Sequence, residues 1–325
     1  MSRAIAGCSW RSQYCVRSFH GEDEQVILHT SESGIVLVNK PQGWTSHQVV
    51  GRMRRLLDTR KVGHAGTLDP MATGLLIIGV NRATRLLGHL AGRDKTYLAT
   101  IRLGQSSSTD DAEGDLSEVV AAGHLDEATV EAAMVGLRGH ISQVPSSVSA
   151  IKVDGKRAYA LVRAGAEVDL KARVVEVSRF EVTARRPTGD LLDLDVTVDC
   201  SSGTYVRALA RDLGAALGVG GHLTMLRRTR IGTFHLPDDA PDLDDDRAPG
   251  LVAMGEVARG AFTCVEVSEA DARALGYGQR IPVPVTGDDV AALGPDGDLV
   301  ALLGPDDAPG WARPRTVFAP ASQTA

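Results

Sequence analysis

The sequence predicts an α/β (α+β) protein in which short apolar strands are interspersed with amphipathic helices. Residues 34–39 form a short apolar run of strand length. Thr45 or Ser46 can cap the helix that follows, whose apolar residues recur at helical spacing as far as Leu57. Residues 192–200 alternate between apolar and polar side chains, as in a strand with one side facing solvent. The chain of 325 residues is long enough for two domains and a sizeable core.

Composition argues against several classes of protein. No apolar run approaches the roughly 18 residues that a membrane-spanning helix requires, and the N-terminal residues lack the apolar core of a signal peptide. The four cysteines are widely spaced, without a Cys-x-x-Cys pair, so neither a disulfide framework nor a zinc site is predicted. We therefore expect a cytoplasmic protein without a bound metal.

Charge is unevenly distributed along the chain. The net charge is −6, but residues 236–325 contain 16 acidic and 6 basic side chains, whereas residues 40–102 contain 11 basic side chains and three aspartates. Local potential matters more than total charge for binding phosphates. Because basic side chains also simply solvate helix surfaces, the charge pattern is compatible with nucleic-acid binding without requiring it.

The most informative stretch is the glycine-containing segment 60–74. Asp69 is its one carboxylate, and the apolar run 75–80 follows, as in a loop that leads into a buried strand. Glycines let the backbone turn sharply and approach a ligand closely. Asp-Pro also commonly begins a helix, with the aspartate as the N-cap. The pattern therefore fits either a capping residue or a carboxylate presented to a substrate.

A second informative segment spans residues 201–209 and contains Tyr205 and Arg207. From the pattern alone, Arg207 is an exposed arginine on an amphipathic helix that Thr204 caps. Cys200, at the end of the preceding alternating strand, is predicted to be a core residue rather than a nucleophile.

Periodicity and turn residues assign most of the remaining chain. The polar segment 105–115 lacks the ordered acidic ligands of a calcium loop and is predicted to form a loop with Asx turns. A linker rich in Asp and Pro is predicted near residues 236–250. Further strands are predicted at 75–80 and 95–103, and helices at 82–89, 126–137 and 156–165.

Several of these segments resemble the TruB family of tRNA pseudouridine synthases. Gly-His-Ala-Gly-Thr-Leu-Asp-Pro-Met-Ala-Thr-Gly-Leu-Leu, ending at Leu76, resembles the motif that carries the family's catalytic aspartate. Gly-Thr-Tyr-Val-Arg, ending at Arg207, resembles the segment whose arginine pairs with that carboxylate. The resemblance covers about residues 34–235. It implies a mixed, largely antiparallel central sheet with helices packed around it and the site in a central cleft.

The resemblance implies isomerisation of uridine to pseudouridine in the T-loop of tRNA, at position 55, without a metal or redox cofactor. Asp69 would be the catalytic carboxylate, and Arg207 would orient it and keep it charged. Tyr97, in a matching Lys-x-Tyr segment, would stack on the target base. Leu226 would line the base pocket.

The resemblance also implies a set of substrate contacts around these groups. His64 would fill the space that the extruded base leaves, although a loop histidine bound to backbone fits its pattern equally well. Lys40 and Pro41 would support and line the substrate site, where a strand-end lysine or a phosphate contact are alternatives for Lys40. Further substrate contacts are expected from Gly66, Thr67 and Tyr205.

The domain organisation follows from the same resemblance. We expect a loosely ordered extension at residues 1–33, a catalytic domain at 34–240, a linker at 241–262 and a small module at 263–325. The module is β-rich and similar in layout to the RNA-binding PUA domain, although its acidity puts direct phosphate contact in doubt. The expected protein is a monomer that binds the T-arm of tRNA. Two alternatives are a tRNA-binding or tRNA-folding protein with secondary catalysis, and a guide-RNA-dependent pseudouridine synthase.

Overall fold

The computed structural model describes residues 32–146, 152–153, 156–157, 170–241 and 243–318. Most of the predicted N-terminal extension therefore lies outside the described residues, as do residues 319–325 of the C-terminal module. The predicted helix 156–165 also lies outside them, except for Lys156 and Arg157, which form a two-residue strand.

The described residues form sixteen strands and seven helical segments. The helices are α1 (Ser46–Leu56), a 3-10 helix (Asn81–Leu86), α2 (Leu87–Ala91), α3 (Glu127–Val135), α4 (Val206–Ala216), α5 (Met254–Ala261) and α6 (Glu269–Gly276). The strands are β1 (Gly34–Lys40), β2 (Val62–Ala65), β3 (Thr73–Val80), β4 (Lys95–Leu103), β5 (Gly139–Gln143), β6 (Lys152–Val153), β7 (Lys156–Arg157), β8 (Arg173–Thr188), β9 (Leu191–Cys200), β10 (Gly221–Ile231), β11 (Phe234–His235), β12 (Val252–Ala253), β13 (Cys264–Glu266), β14 (Val290–Leu293), β15 (Leu299–Pro305) and β16 (Ala312–Val317).

One large sheet organises the protein, in the order β12-β1-β3-β10-β4-β9-β8-β5, with β2 on β3 and β11 on β10. Within the described chain, β10 and β3 are its one parallel pair, and the other neighbours are antiparallel. The prediction of a mixed, largely antiparallel sheet is confirmed. The parallel contact joins Gly74 to Arg228, next to the loop that carries Asp69.

Helix α1 forms as its sequence predicts. The side chain of Thr45 accepts a hydrogen bond from the backbone N–H of Gln48, and the Gln48 side-chain oxygen accepts one from the backbone N–H of Thr45, so a capping box begins the helix. Val49 and Met53 then pack against apolar side chains of β1 and β3. This packing fixes the start of α1 beside the Asp69 loop.

Asp69 does not cap a helix. The residues after it form a turn, closed by a hydrogen bond of 3.1 Å from Ala72 N to Asp69 O, and then enter β3. The helix-cap interpretation of Asp-Pro was therefore wrong, because the Asp69 side chain does not cap a helix. Helix α4 likewise begins after Tyr205 rather than after Thr204.

The C-terminal part forms a separate four-stranded sheet, β13-β14-β15-β16, which confirms a small β-rich module. Its apolar side chains, including Leu299 and Phe318, share one buried cluster with Leu75 and Ile77 of the large sheet. Residues 252–261, within the predicted linker, form β12 and α5, and β12 pairs with β1. Among the described residues, no helix is long and apolar enough to cross a membrane.

Candidate active site

The loop between β2 and β3 carries Asp69 and is held in place by hydrogen bonds from Ser46 and Gly43. Ser46, the first residue of α1, donates its hydroxyl to Leu68 O at 3.1 Å and accepts from Leu68 N at 2.9 Å. Gly43 N donates to Pro70 O at 2.8 Å. Because the backbone is fixed on both sides of Asp69, its carboxylate has a defined position while its side chain stays 37% exposed.

Arg207 bridges two carboxylates. Its Nη2 lies 2.9 Å from Oδ2 of Asp69, and its Nη1 lies 3.2 Å from Oδ2 of Asp111. The same Nη1 donates to Thr109 O at 2.9 Å. The Arg207 side chain is only 4% exposed, so the interpretation of an exposed helix arginine was wrong. A guanidinium can contact several oxygens at once, which a single ammonium group cannot do in the same geometry.

Asp111 is the buried end of this network. Its Oδ1 accepts from Glu113 N at 3.0 Å and from the Thr109 hydroxyl at 2.5 Å, which leaves Oδ2 for Arg207. The polar loop 105–115 is thus folded around Asp111 in Asx-type turns, as predicted. Its buried carboxylate supports Arg207 from the side opposite Asp69, a role that the sequence reasoning missed.

Asp69 and Arg207 form part of the wall of a cavity of about 270 Å³. Tyr97 and Leu226 also line it, from the adjacent strands β4 and β10. Burial raises the pKa of the Tyr97 hydroxyl, against the opposing effect of Arg228, so the phenol stays protonated near neutral pH. The full lining is Gly66, Thr67, Leu68, Asp69, Ala91, Lys95, Tyr97, Ser202, Gly203, Thr204, Tyr205, Val206, Arg207, Leu226 and Arg228.

Lys40 and Pro41 lie beneath the cavity rather than in its lining. Lys40 is fully buried, and its Nζ donates to Pro41 O at 2.9 Å, Trp44 O at 2.6 Å and Pro70 O at 3.2 Å. Burial lowers the pKa of Lys40 to about 8, although the charge of Asp69 acts in the opposite direction. Since carbonyl oxygens occupy its three donors, this lysine holds the Asp69 loop and does not offer a phosphate contact.

His64 lies in β2, opposite Ile78, and is not part of the cavity lining. Burial, followed by the charges of Arg228 and His47, lowers the pKa of its imidazole, so the ring is neutral near pH 7. Its buried Nδ1 has no hydrogen-bond partner in the described part of the chain. The structure thus shows no backbone hydrogen bond at Nδ1 that would explain the ring as a satisfied loop histidine.

The cavity lining also contains two charged residues that the sequence reasoning did not select, Lys95 and Arg228. Lys95 precedes Tyr97 by two residues on β4, so strand alternation places both on one face. Arg228 lies directly opposite Tyr97 on β10. The strand period could have suggested Lys95, but no local pattern separates Arg228 from its arginine neighbours.

Comparison with known proteins agrees with this site. Consecutive parts of the chain match family models described as TruB family pseudouridylate synthase (N terminal domain), tRNA pseudouridylate synthase B C-terminal domain and tRNA Pseudouridine synthase II, C terminal. The matched residues are 54–206, 207–245 and 262–319. A curated relative from Arthrobacter sp. (strain FB24), named tRNA pseudouridine synthase B, is 55% identical over 90% of this chain and 98% of its own. The chain belongs to the TruB family.

The chain is also similar to a second curated relative and to two solved structures. A tRNA pseudouridine synthase B from Mycolicibacterium paratuberculosis is 57% identical over 83% of this chain and 92% of its own. A solved chain from an H/ACA ribonucleoprotein bound to a substrate RNA containing 2'-deoxyuridine is 25% identical, with a TM-score of 0.66, over 89% of this chain and 86% of that chain. A Cbf5-Nop10-Gar1 complex gives 26% identity and a TM-score of 0.64, over 89% and 85% of the two chains.

Proposed function

We propose that this chain converts uridine to pseudouridine in tRNA, at position 55 of the T-loop. The observation that carries the proposal is the Asp69 carboxylate at the cavity wall, held by the buried guanidinium of Arg207. The relatives at 55% and 57% identity are named for this reaction on tRNA. A carboxylate beside an aromatic ring and a leucine suits chemistry on a flat base.

The reaction breaks the bond from the ribose C1′ to N1 of the base and rejoins the ribose to C5. The electron pair of the broken bond stays on the base. Asp69 either forms a transient bond, to C1′ or to the base ring, or removes the 2′ proton. That bond breaks again, or the proton returns to C2′, before the product leaves, so the carboxylate is regenerated. After the base turns in the cavity, C5 bonds to C1′, the C5 proton leaves and N1 gains a proton. Atoms and electrons balance without an external reactant.

The other residues have supporting roles in this proposal. Tyr97 stacks on the base and Leu226 closes the pocket against it. Gly66, Thr67 and Tyr205 line the path of the nucleotide into the cavity. The target uridine must leave the T-loop stack to enter, at a cost of a few kcal/mol.

Two residues outside the lining have supporting roles, one in extrusion and one in holding the Asp69 loop. His64 offers a neutral, half-buried ring that can occupy the vacated space in the RNA. Lys40 keeps the Asp69 loop in place through Pro70 O. Neither role requires the side chain in the chemical step, and Lys40 acts only through the loop that it holds.

The finer assignments are part of the same proposal. The enzyme is a monomer that binds the T-arm, residues 34–240 carry catalysis, and residues 263–325 form a PUA-like module. A tRNA substrate places the enzyme in the cytoplasm. The similarity to H/ACA proteins leaves guide dependence as the competing activity, but the relatives of highest identity cited above are named for tRNA and not for a guided complex.

The test is pseudouridine formation on an unmodified tRNA transcript, without added RNA or protein. Wild type should convert the T-loop uridine, while Asp69→Asn should bind the transcript and lose activity by at least about 1000-fold, as expected when a catalytic carboxylate is neutralised. Asp190→Asn, at an exposed turn between β8 and β9, is the matched control and should remain active. Full activity of Asp69→Asn would refute the proposal. Tight binding by an inactive wild type would favour a tRNA-folding protein or a guided enzyme.

A further inference from the structure

Two buried cations lie together in the lining of the cavity, and within the described residues neither forms an ion pair with Asp69. Lys95 is 6% exposed and Arg228 is 1% exposed, and both line the cavity. Lys95 Nζ donates to Ala91 O at 2.9 Å and to Arg93 O at 2.6 Å. Two of its three N–H groups are thereby occupied, which leaves one donor for the cavity.

Arg228 is likewise surrounded by neutral acceptors. Its Nε donates to Leu75 O and its Nη2 donates to Gly66 O, both at 2.9 Å. It lies opposite Tyr97 of β4, and its charge acts to lower the pKa of the Tyr97 hydroxyl against the larger effect of burial. Among the described residues, neither Arg228 nor Lys95 has a carboxylate within ion-pairing distance, in contrast to Arg207.

A buried charge without a counter-ion is costly, so this arrangement requires a reason. Carbonyl dipoles orient the two cations but leave their net charge uncompensated. The charge of Arg228 contributes to lowering the pKa of both Lys95 and His64, which indicates that the positive potential extends through the site. Such a site is suited to a ligand that becomes negatively charged after binding.

The proposed reaction produces such a charge. When the C1′–N1 bond breaks, its electron pair remains on the base, and the uracil anion spreads this charge over N1, O2 and O4. We propose that Lys95 and Arg228 form a cationic floor that stabilises the detached uracil anion. Lys95 contacts the base directly, whereas Arg228 acts through its electrostatic field. This inference rests on the proposed function and adds to it the stabilisation of the leaving group.

The decisive variant is Lys95→Met, which keeps the length of the side chain and removes its charge. On the unmodified tRNA transcript, the single-turnover rate should fall about 100-fold, the usual effect of removing one stabilising donor. The dissociation constant for tRNA should stay within about threefold, because the charge arises after binding. Arg185→Met is the matched control, since Arg185, on β8, also donates to a backbone carbonyl but is not part of the cavity lining. Its rate should equal that of wild type.

The pH dependence of the reaction rate distinguishes a role of Lys95 in stabilising the anion from a purely structural role. Burial lowers the pKa of Lys95 to about 8, helped by Arg228 and opposed by Cys200 and Asp94. The wild-type rate should therefore fall as pH rises above about 8. Lys40 has a pKa in the same range, so Lys95→Arg is needed to assign the fall. Lys95→Arg stays charged and should react without this alkaline loss.

The outcomes are distinct. A Lys95→Met rate within about threefold of wild type would overturn the inference while leaving the proposed function intact. If Lys95→Met does not fold, Lys95→Arg decides: an unchanged alkaline fall assigns the titration to Lys40 and overturns the inference, and loss of the fall supports it. An inactive wild type would refute the proposed function itself, and the inference with it.

Discussion

Arg207 Nη2 lies 2.9 Å from Asp69 Oδ2, although the two residues are far apart in the sequence. Asp69 lies in the loop between β2 and β3, and Arg207 is the second residue of α4, which follows β9. The second carboxylate on the same guanidinium, Asp111, is 3% exposed, whereas Asp69 is 37% exposed. The buried aspartate therefore fixes the arginine, and the arginine in turn fixes the aspartate that faces the cavity.

The first prediction concerns the shape of this cation. Arg207→Lys keeps the positive charge but removes the second donor arm, so one ammonium group cannot reach Asp69, Asp111 and Thr109 O together. We expect the single-turnover rate on tRNA to fall about 100-fold, with binding nearly unchanged, since mispositioning of a reacting group by about 1 Å has effects of this size. Arg185→Lys serves as the control on β8. A wild-type rate for Arg207→Lys would show that charge alone is sufficient.

Much of this site could be predicted because its motifs are local. The Asp69 loop, the Lys95–Tyr97 strand and the Arg207 segment are each recognisable within a few residues, and strand alternation gave β4 and β9 nearly to the residue. Asp111 could not be found in this way. Its importance depends on an arginine distant in the sequence, and its own segment reads as an ordinary polar loop.

The burial of the cations was beyond sequence reasoning for a similar reason. A lysine or arginine is normally placed on the surface, because burying it without a carboxylate is unfavourable. Lys40 and Arg228 are instead surrounded by carbonyl oxygens of loops and strands that meet only in the folded chain. The spacing of residues in the sequence does not indicate which carbonyl groups will surround a given lysine or arginine in the folded protein.

The second prediction concerns the backbone at the parallel contact between β3 and β10. Gly74 has φ of 98°, and a Cβ at this position would lie 2.2 Å from Arg228 O. Gly74→Ala should therefore lower the free energy of unfolding by about 2 kcal/mol or more, through strain and displacement of β10. Gly51→Ala is the control, because no atom within 4 Å opposes its Cβ, and alanine in a helix should raise stability by about 0.5–1 kcal/mol. Urea denaturation measures the free energy of unfolding of both variants. A value for Gly74→Ala equal to that of wild type would contradict the steric argument.

The third prediction concerns the pH dependence of stability. Burial lowers the pKa of Lys40 and of Lys95 from 10.5 to about 8. Below about pH 8 both lysines are protonated in the folded and in the unfolded protein, so the cost of burying their charge is fully present. Between about pH 8 and 10.5 the unfolded chain binds more protons, so these lysines make the free energy of unfolding rise with pH, by at most roughly 3 kcal/mol each.

Lys95→Met isolates this contribution. The comparison is necessary because burial raises the pKa of the Cys200 thiol to about 11, which opposes the lysines at alkaline pH. The stability difference between wild type and Lys95→Met, measured by urea denaturation from neutral pH to about pH 10, should move in favour of wild type as pH rises. A difference that is constant across this range would show that the ammonium group is not desolvated in the folded protein.

The fourth prediction concerns the attachment of the C-terminal sheet. Phe318 is 1% exposed and packs in the cluster that contains Leu75 and Ile77, while His89 Nδ1 lies 2.9 Å from Asp289 Oδ2 at the same junction. Because one core serves both sheets, Phe318→Ala should lower the free energy of unfolding by about 3–5 kcal/mol and leave a single cooperative transition. Tyr277→Ala, at a side chain 62% exposed, should change it by less than about 0.5 kcal/mol. Two separate transitions in wild type, with only one weakened by Phe318→Ala, would show that the C-terminal sheet unfolds independently of the catalytic sheet.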